Sequence, residues 1–307
     1  MEQPLVYIIL LNWNGYYLTR ECILSLFKIS YTNYKIIVVD NYSEDDSYSK
    51  LKSEFDGDIV FIANESNLGF TGGNNVGITR ALENNADYIL LLNNDTIVDE
   101  QFLDELIKMA VSDDRIGILG PKIYYYSEPE VIWFSGGRFN KLKGGMSVDG
   151  MGVSDNGQYD DVADVDYITG CALLMKSEMV RRIGILDEVY FIYAEEADFC
   201  FRANRNGYRV VYIPSSKVWH KVAQSFKGNY TPFYLYFQSK NRLLLIKKNF
   251  SKLYLIYCFI VHILLYIPYK LTHILFKKQN NKFKASSSLL VGTYDFLLCK
   301  KQPRFFR

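Results

Sequence analysis

Ile36-Ile37-Val38-Val39-Asp40-Asn41-Tyr42-Ser43 packs four β-branched aliphatic residues into one run and then stops at a carboxylate and an amide. A short apolar run without polar alternation reads as a strand buried on both faces, as in a parallel sheet. The pattern recurs: Val6–Leu11 ends in Asn12-Trp13-Asn14-Gly15, Ile59–Ala63 in Asn64-Glu65-Ser66-Asn67, and Tyr88–Leu92 in Asn93-Asn94-Asp95. Segments of helical pattern, such as Leu18–Phe27 and Gly77–Asn85, lie between them. Strands alternating with helices predict an α/β fold with a mostly parallel central sheet. In such a sheet the polar strand ends converge on the carboxyl edge, where ligands bind.

Further along, Pro121 to Asp166 is rich in glycine and reads as loops or hairpins flanking the sheet. Ala172–Lys176 reads as a strand, Ser177–Ile183 and Glu195–Asn206 as helices, and Arg209–Ile213 as a final strand. With 307 residues and 49% hydrophobic content, the chain builds one large core, or one core plus a small appendage, and is not a disordered protein. Five scattered cysteines, an odd number without a Cys-x-x-Cys pair, suggest neither a disulfide framework nor a zinc knuckle, and a reducing cytosol is the default. The apolar run Leu5–Leu11 is short, lacks a preceding basic region and reads as the first strand, not as a secretion signal.

Charge is unevenly divided. From Lys217 onward there are 17 Lys and Arg against the single acid Asp295, leaving 18 basic and 33 acidic residues before it. An acidic body with a basic tail points to an anionic surface as the tail's partner.

Several clusters carry chemistry. Asp40, directly after a buried strand, is placed to accept hydrogen bonds from a base or ribose, although Asp and Asn are also ordinary turn formers. Asn67-Leu68-Gly69-Phe70-Thr71-Gly72-Gly73-Asn74-Asn75 reads as a loop opening a helix, whose backbone N–H groups a ligand can approach closely. It is neither G-x-G-x-x-G nor a Walker loop. Asp95 at a strand end suits a hard cation such as Mg2+ or Mn2+ bridging a diphosphate, or a simple helix-capping turn. Glu195, Glu196 and Asp198 put three carboxylates in a first helical turn. The helix dipole favours them there in any case, and beside the aromatic run Val189–Tyr193 they also offer a general base. His220, one of three histidines, follows the last strand and Pro214.

In this order, VVDNYSEDDS (38–47), NLGFTGGNN (67–75), LLLNND (90–95) and the block Asp187–Arg202 resemble the family-two inverting glycosyltransferases of GT-A fold, especially the rhamnosyltransferase-like branch that builds bacterial surface polysaccharides. The resemblance runs from about Val6 to Lys248. It implies that Asp40 binds the nucleotide base, with Asn12, Asn14, Asn67, Gly69, Gly73, Asn74 and Asn94 around the donor. Asp95 takes the last position of a metal-binding Asp-x-Asp whose first acid is here Asn93, and His220 completes the metal and diphosphate site. Glu195-Glu196-x-Asp198 aligns with Glu-Asp-x-Asp, which makes Glu196 the catalytic base and Asp198 the second candidate. The implied reaction is inverting transfer from a nucleotide-diphosphate sugar, dTDP-rhamnose or a UDP-sugar, to a lipid-linked saccharide acceptor.

Residues 1–240 form the expected transferase domain and residues 241–307 a basic, apolar helical tail. Leu253–Ile267 is nearly all apolar, flanked by Lys247, Lys248 and Lys252 and by Lys277 and Lys278. Interrupted by His262, Pro268, Lys270 and His273, it is borderline for a span of about 20 residues. It reads instead as a segment lying in the cytoplasmic leaflet with its lysines on anionic headgroups, which makes the protein cytoplasmic and peripheral on the membrane's inner face. No stacking or groove-reading motif accompanies the charge, which argues against nucleic acid. The changed acids Asn93 and Glu196 leave one alternative, a catalytically weak nucleotide-sugar-binding partner subunit at the membrane.

Overall fold

The structure, a computed structural model, describes residues 3–222, 231–276 and 281–300. Lys277 and Lys278, expected to flank the apolar run, lie outside the described residues. Strands β1 (Val6–Asn12), β2 (Tyr34–Asp40), β3 (Val60–Ala63) and β4 (Tyr88–Asn93) alternate with helices α1 (Tyr16–Leu26), α2 (Ser47–Glu54) and α3 (Gly69–Glu83). These strands are parallel, in the order β4-β1-β2-β3. Register sets Asn12 opposite Asp40 and Leu11 opposite Asn93, so three of the polar strand ends share one edge.

Then follow β5 (Thr96–Val98), α4 (Phe102–Ala110), β6 (Ile116–Tyr125), β7 (Glu128–Phe134), β8 (Gly137–Asn140), β9 (Gly145–Val148), β10 (Ala163–Asp164), β11 (Ala172–Lys176), α5 (Ser177–Ile183), α6 (Glu195–Arg205) and β12 (Arg209–His220). β11 lies antiparallel between β4 and β6, and β12 extends the sheet parallel to β6. The glycine-rich stretch from Pro121 does contain hairpins, β6 with β7 and β8 with β9. Yet β6 begins before Pro121 and runs through it. Its glycines hid it: a Cβ at Gly120 would stand 2.2 Å from Ile168, so only glycine fits beneath that side chain. The last strand does not stop at Ile213. Its register with β6 slips between Ile213 and Lys217, around Pro214, which has no N–H to give the ladder, and pairing then resumes to His220.

The helix expected from Gly77 starts at Gly69, so most of the expected glycine and asparagine loop is helix. Those glycines make the helix–sheet contact. A Cβ at Gly73 would lie 2.5 Å from Leu11, and one at Gly77 2.6 Å from Ile9, four residues apart on one face of α3 and two apart on one face of β1.

The expected boundary at residue 240 falls inside α7 (Pro232–Asn249), whose N-terminus is capped by Thr231. α8 (Lys252–Val261), a π-helical turn His262–Tyr266 and α9 (Ile267–Phe276) form one continuous helix, which packs with α10 (Lys282–Leu297) around a small second core of Leu235, Ile267, Ile274, Ala285 and Leu289. Buried polar groups join the tail to α7. Tyr236 donates to Asp295 at 3.0 Å, and the His262 ring meets Thr293 at 3.0 Å and Ser239 at 3.3 Å.

Gly77→Ala gains helix propensity of up to about 1 kcal/mol but forces Ile9, β-branched and fully buried, to move, an overpacking cost of about 1–3 kcal/mol. A net loss of stability is expected in chemical denaturation. An unchanged or raised midpoint would refute the close contact of α3 on β1.

Candidate active site

At the sheet edge, Asn12 is fully buried and works from behind. It donates to Asp40 at 2.7 Å and to Ser47 at 3.1 Å, and accepts from Thr19 at 2.8 Å. Asp40 also accepts from the Ser43 backbone at 2.9 Å and its hydroxyl at 2.6 Å, so the carboxylate is fixed before any ligand arrives. Asn14 accepts from the Glu44 backbone at 2.8 Å and so anchors the loop after β2, while Asn94 donates to Thr19 at 2.8 Å. Asn12, Asp40 and Asn94 thus belong to one hydrogen-bonded shelf.

The antiparallel pairing of β5 with β12 sets His220 opposite Thr96. It brings His220 Nε2 to 3.0 Å from Asp95 Oδ1, joining residues far apart in the chain. Burial opposes charge on His220, but Cys171 and Asp95 outweigh it and pull its pKa up to about 10. His220 Nδ1 is buried without a hydrogen-bond partner. No group of three metal-ligating side chains occurs among the described residues. One carboxylate and one imidazole nevertheless fit Mg2+ or Mn2+, which commonly take one or two protein ligands and complete their shell with substrate phosphates and water.

The other expected donor contacts divide. Asn67 accepts from the Gly69 backbone at 2.9 Å and from Asn41 at 3.1 Å, fixing the start of α3. Gly69 has φ +73° and lies against Phe191, where a Cβ would be 2.6 Å from the ring. Gly73 and Asn74, expected at the donor, are instead buried inside α3. Gly73 faces Leu11, and the Asn74 amide is spent on the Phe70 carbonyl at 2.8 Å. The front of α3 cradles the acidic segment: the Thr71 N–H donates to the Phe191 carbonyl at 3.0 Å, and Asn75 exchanges two hydrogen bonds with the Leu186 backbone at 3.0 and 3.1 Å.

The acidic segment enters α6 through a tight turn. Phe191, Tyr193 and Ala194 have φ of 64°, 67° and 74°, a left-handed region costly for side chains of this size. Asn241 of α7 holds the turn. Its amide donates to the carbonyls of Tyr190 (2.9 Å), Ile192 (2.8 Å) and Tyr193 (3.0 Å). No sequence signal singled out Asn241, which sits in the polar run Gln238-Ser239-Lys240-Asn241-Arg242.

Asp198, the second base candidate, is engaged elsewhere. It is 1% exposed, ion-paired with Arg202 at 3.0 Å and hydrogen-bonded by Tyr190 at 3.2 Å and Asn249 at 2.7 Å. Glu195 and Glu196 each keep one buried oxygen without a hydrogen-bond partner. Burial, and then the charge of Glu196, raise the Glu195 pKa well above the ordinary 4.5. Burial also raises that of Glu196, against the lowering pull of backbone N–H groups at the helix start and of the Glu195 carboxyl. Of the two, Glu195 is raised further and so holds its proton the more firmly.

Glu196 lines a cavity of about 300 Å3 shared with Tyr167, Gly145, Arg242, Tyr266 and Lys270, so the β8–β9 hairpin, α7 and the tail helix all contribute walls. The segment around Gly170 links it to the sheet edge. A Cβ there would be 4.0 Å from that of Glu196, while the next carbonyl, of Cys171, accepts from the Asn93 N–H at 2.8 Å.

A mostly parallel sheet gathering polar strand ends at one edge, with a buried acidic helix start beside it, is the architecture of a GT-A glycosyltransferase. Residues 7–179 match Glycosyl transferase family 2, and the chain belongs to that family. The low-salt glycan biosynthesis hexosyltransferase Agl10 of Haloferax volcanii is 26% identical over 222 residues, 71% of this chain and 69% of that protein. The dTDP-rhamnosyl transferase RfbF of Shigella flexneri is 24% identical over 276 residues, 86% of each chain. Among solved structures, the Pyrobaculum calidifontis mannosyltransferase PcManGT in complex with GDP-Man and Mn2+ superposes with a TM-score of 0.61 at 13% identity, over 98% of this chain and 89% of that one.

A carboxyl whose pKa is raised by folding contributes stability below its unfolded value that is lost as pH rises through the folded value. Glu195→Gln removes one such group, so its thermal midpoint should gain on the wild type progressively as pH rises above the ordinary 4.5. A difference independent of pH would mean that Glu195 is not held protonated.

Proposed function

We propose that the chain transfers a sugar, with inversion, from a nucleotide-diphosphate donor to a hydroxyl of a lipid-linked saccharide during surface polysaccharide synthesis. The observation that carries this reading is Glu196: a half-buried carboxylate, hydrogen-bonded at its helix start and beside Glu195, whose pKa burial raises well above the ordinary value, on the wall of a cavity next to the sheet edge. dTDP-rhamnose is the first donor proposed, in keeping with the name of the Shigella flexneri relative, with UDP-sugars behind it.

Asp40, held from behind by the buried Asn12, binds and orients the nucleoside together with Asn14 and Asn94, with Asn67 and Gly69 at its far side. Asp95 and His220 would hold Mg2+ or Mn2+, the imidazole giving up its proton to the solvent on binding, and the ion would neutralise the diphosphate of the leaving group. Glu196 takes the acceptor hydroxyl proton as that oxygen bonds to the anomeric carbon. The bond from that carbon to the phosphate oxygen breaks, and the nucleoside diphosphate leaves with the electron pair. Asp198 positions α6 through Arg202 and takes no proton. Glu195 keeps Glu196 charged by donating to it, a service that glutamine's N–H group also provides.

Residues 1–240 act as the transferase domain and the rest as a membrane-associating tail, interlocked through α7. Support for a peripheral position at the membrane's inner face comes from the helix Lys252–Phe276. Its most apolar 18 residues have a mean hydropathy of 1.6 and it is mostly exposed, with Cys258, His262, Ile267 and Ile274 turned to the protein and Leu253, Ile260, Leu264 and Phe276 turned away. A helix bound along one side to the folded body suits the bilayer surface better than a free crossing.

Glu196→Gln should lower kcat by about 10²–10⁴-fold, the usual worth of a general base, and leave donor binding close to wild type. Glu195→Gln should keep most of its activity. Equal turnover by Glu196→Gln and wild type would remove the base assignment.

A further inference from the structure

Arg242 follows Asn241 on α7 and enters the cavity that Glu196 lines. It is largely buried, and burial depresses its pKa. Among the described residues no carboxylate lies within ion-pairing distance of it. What it has is the Lys143 carbonyl, to which it donates, and the Tyr266 ring, 4.5 Å from the guanidinium carbon. Its Nε is buried without a partner. Gly145 leaves space beside it, since a Cβ there would lie 2.9 Å from Nη1. Lys270, from the tail helix, lines the same cavity.

A guanidinium withdrawn from water is costly unless an anion meets it. Asp198, Asp295 and Asp187 are already committed to Arg202, Lys300 and Lys248, and Glu196 is the charge the chemistry uses. The counter-charge therefore comes from the ligand. The ligand must reach Glu196 with a hydroxyl and present an anion to Arg242, with Lys270 on the same cavity wall, and the cavity is walled in part by a helix whose outer face is exposed and apolar. A saccharide joined through phosphate to a hydrocarbon chain has these three parts in this order.

On the reading of the chain as a transferase to lipid-linked acceptors, we propose that Arg242 and Lys270 bind the acceptor's phosphate or diphosphate, making the C-terminal helix a wall of the acceptor site. The planar guanidinium suits two phosphate oxygens at once, whereas Lys270 adds charge without fixed geometry. Bulk phospholipid headgroups offer the same chemistry, so the test separates the two sources.

Full-length protein, with chelator present and donor absent so that the metal-dependent diphosphate site stays silent, is titrated with farnesyl diphosphate and with farnesol. The wild type should bind the diphosphate at least tenfold more tightly than the alcohol. Arg242→Gln should lose at least tenfold of that affinity, and Arg242→Lys less. Should Arg242→Gln fail to fold, Lys270→Gln carries the same comparison, with a smaller loss. Flotation with phosphatidylglycerol vesicles should be unchanged by either substitution. Equal binding of farnesol, undiminished binding by the glutamine variants, or an equal loss on vesicles would overturn the proposal. Nucleotide binding, measured separately with metal, tests the transferase reading itself, so the two fail independently.

Discussion

The amide of Asn241 is the tie on which the site depends. Three non-glycine residues, Phe191, Tyr193 and Ala194, sit in the left-handed region immediately before Glu195, and strain of this kind costs about 1–3 kcal/mol per residue. The two N–H groups of one buried amide, one of them shared between two carbonyls, return about 0.5–1.5 kcal/mol per N–H, and stacking of Phe191 on Phe237 of α7, with centroids 5.5 Å apart, adds to the hold. The turn lets α6 begin with Glu195 buried and Glu196, half-buried, on the wall of the cavity. α7 is therefore part of the site, and because it also carries the tail, the proposed membrane contact and the proposed base are mechanically connected.

Electrostatics divides the work between two places. At the sheet edge, Asp95 and His220 share a position that suits a cation. At the start of α6, beside the cavity, two adjacent glutamates cannot both be charged at low cost, and burial raises the pKa of both, Glu195 further. The acid-rich body and basic tail seen in the sequence have a local counterpart here: Glu196 from the body and Arg242 and Lys270 from the tail side line one cavity.

Much of this was legible in the sequence. Apolar runs ending in Asn and Asp gave the parallel strands and placed Asn12, Asp40 and Asp95 near a common edge, because the strand period and burial on both faces leave few alternatives. Gly73 and Asn74 were misread because a glycine that lets a ligand approach and one that lets a helix approach a strand look alike in sequence; the spacing of Gly73 and Gly77, which matches one helix face, was the available clue. β6 was obscured by Gly117, Gly120 and Pro121: Gly117 lies against Met179 and Tyr208, Gly120 under Ile168, and Pro121 where the strand neighbours an irregular partner. Asn241 and Arg242 gave little sign, since their meaning depends on which face of α7 meets the turn, a tertiary fact.

The most direct test of the central claim is to incubate the full-length protein with a panel of nucleotide sugars and a lipid-linked saccharide, with manganese or with chelator, and to measure release of nucleoside diphosphate. Metal-dependent release from one donor, requiring the acceptor, is the predicted result. A donor that raises the thermal midpoint yet is never consumed, whatever acceptor is supplied, would contradict the account and leave a nucleotide-sugar-binding subunit in its place.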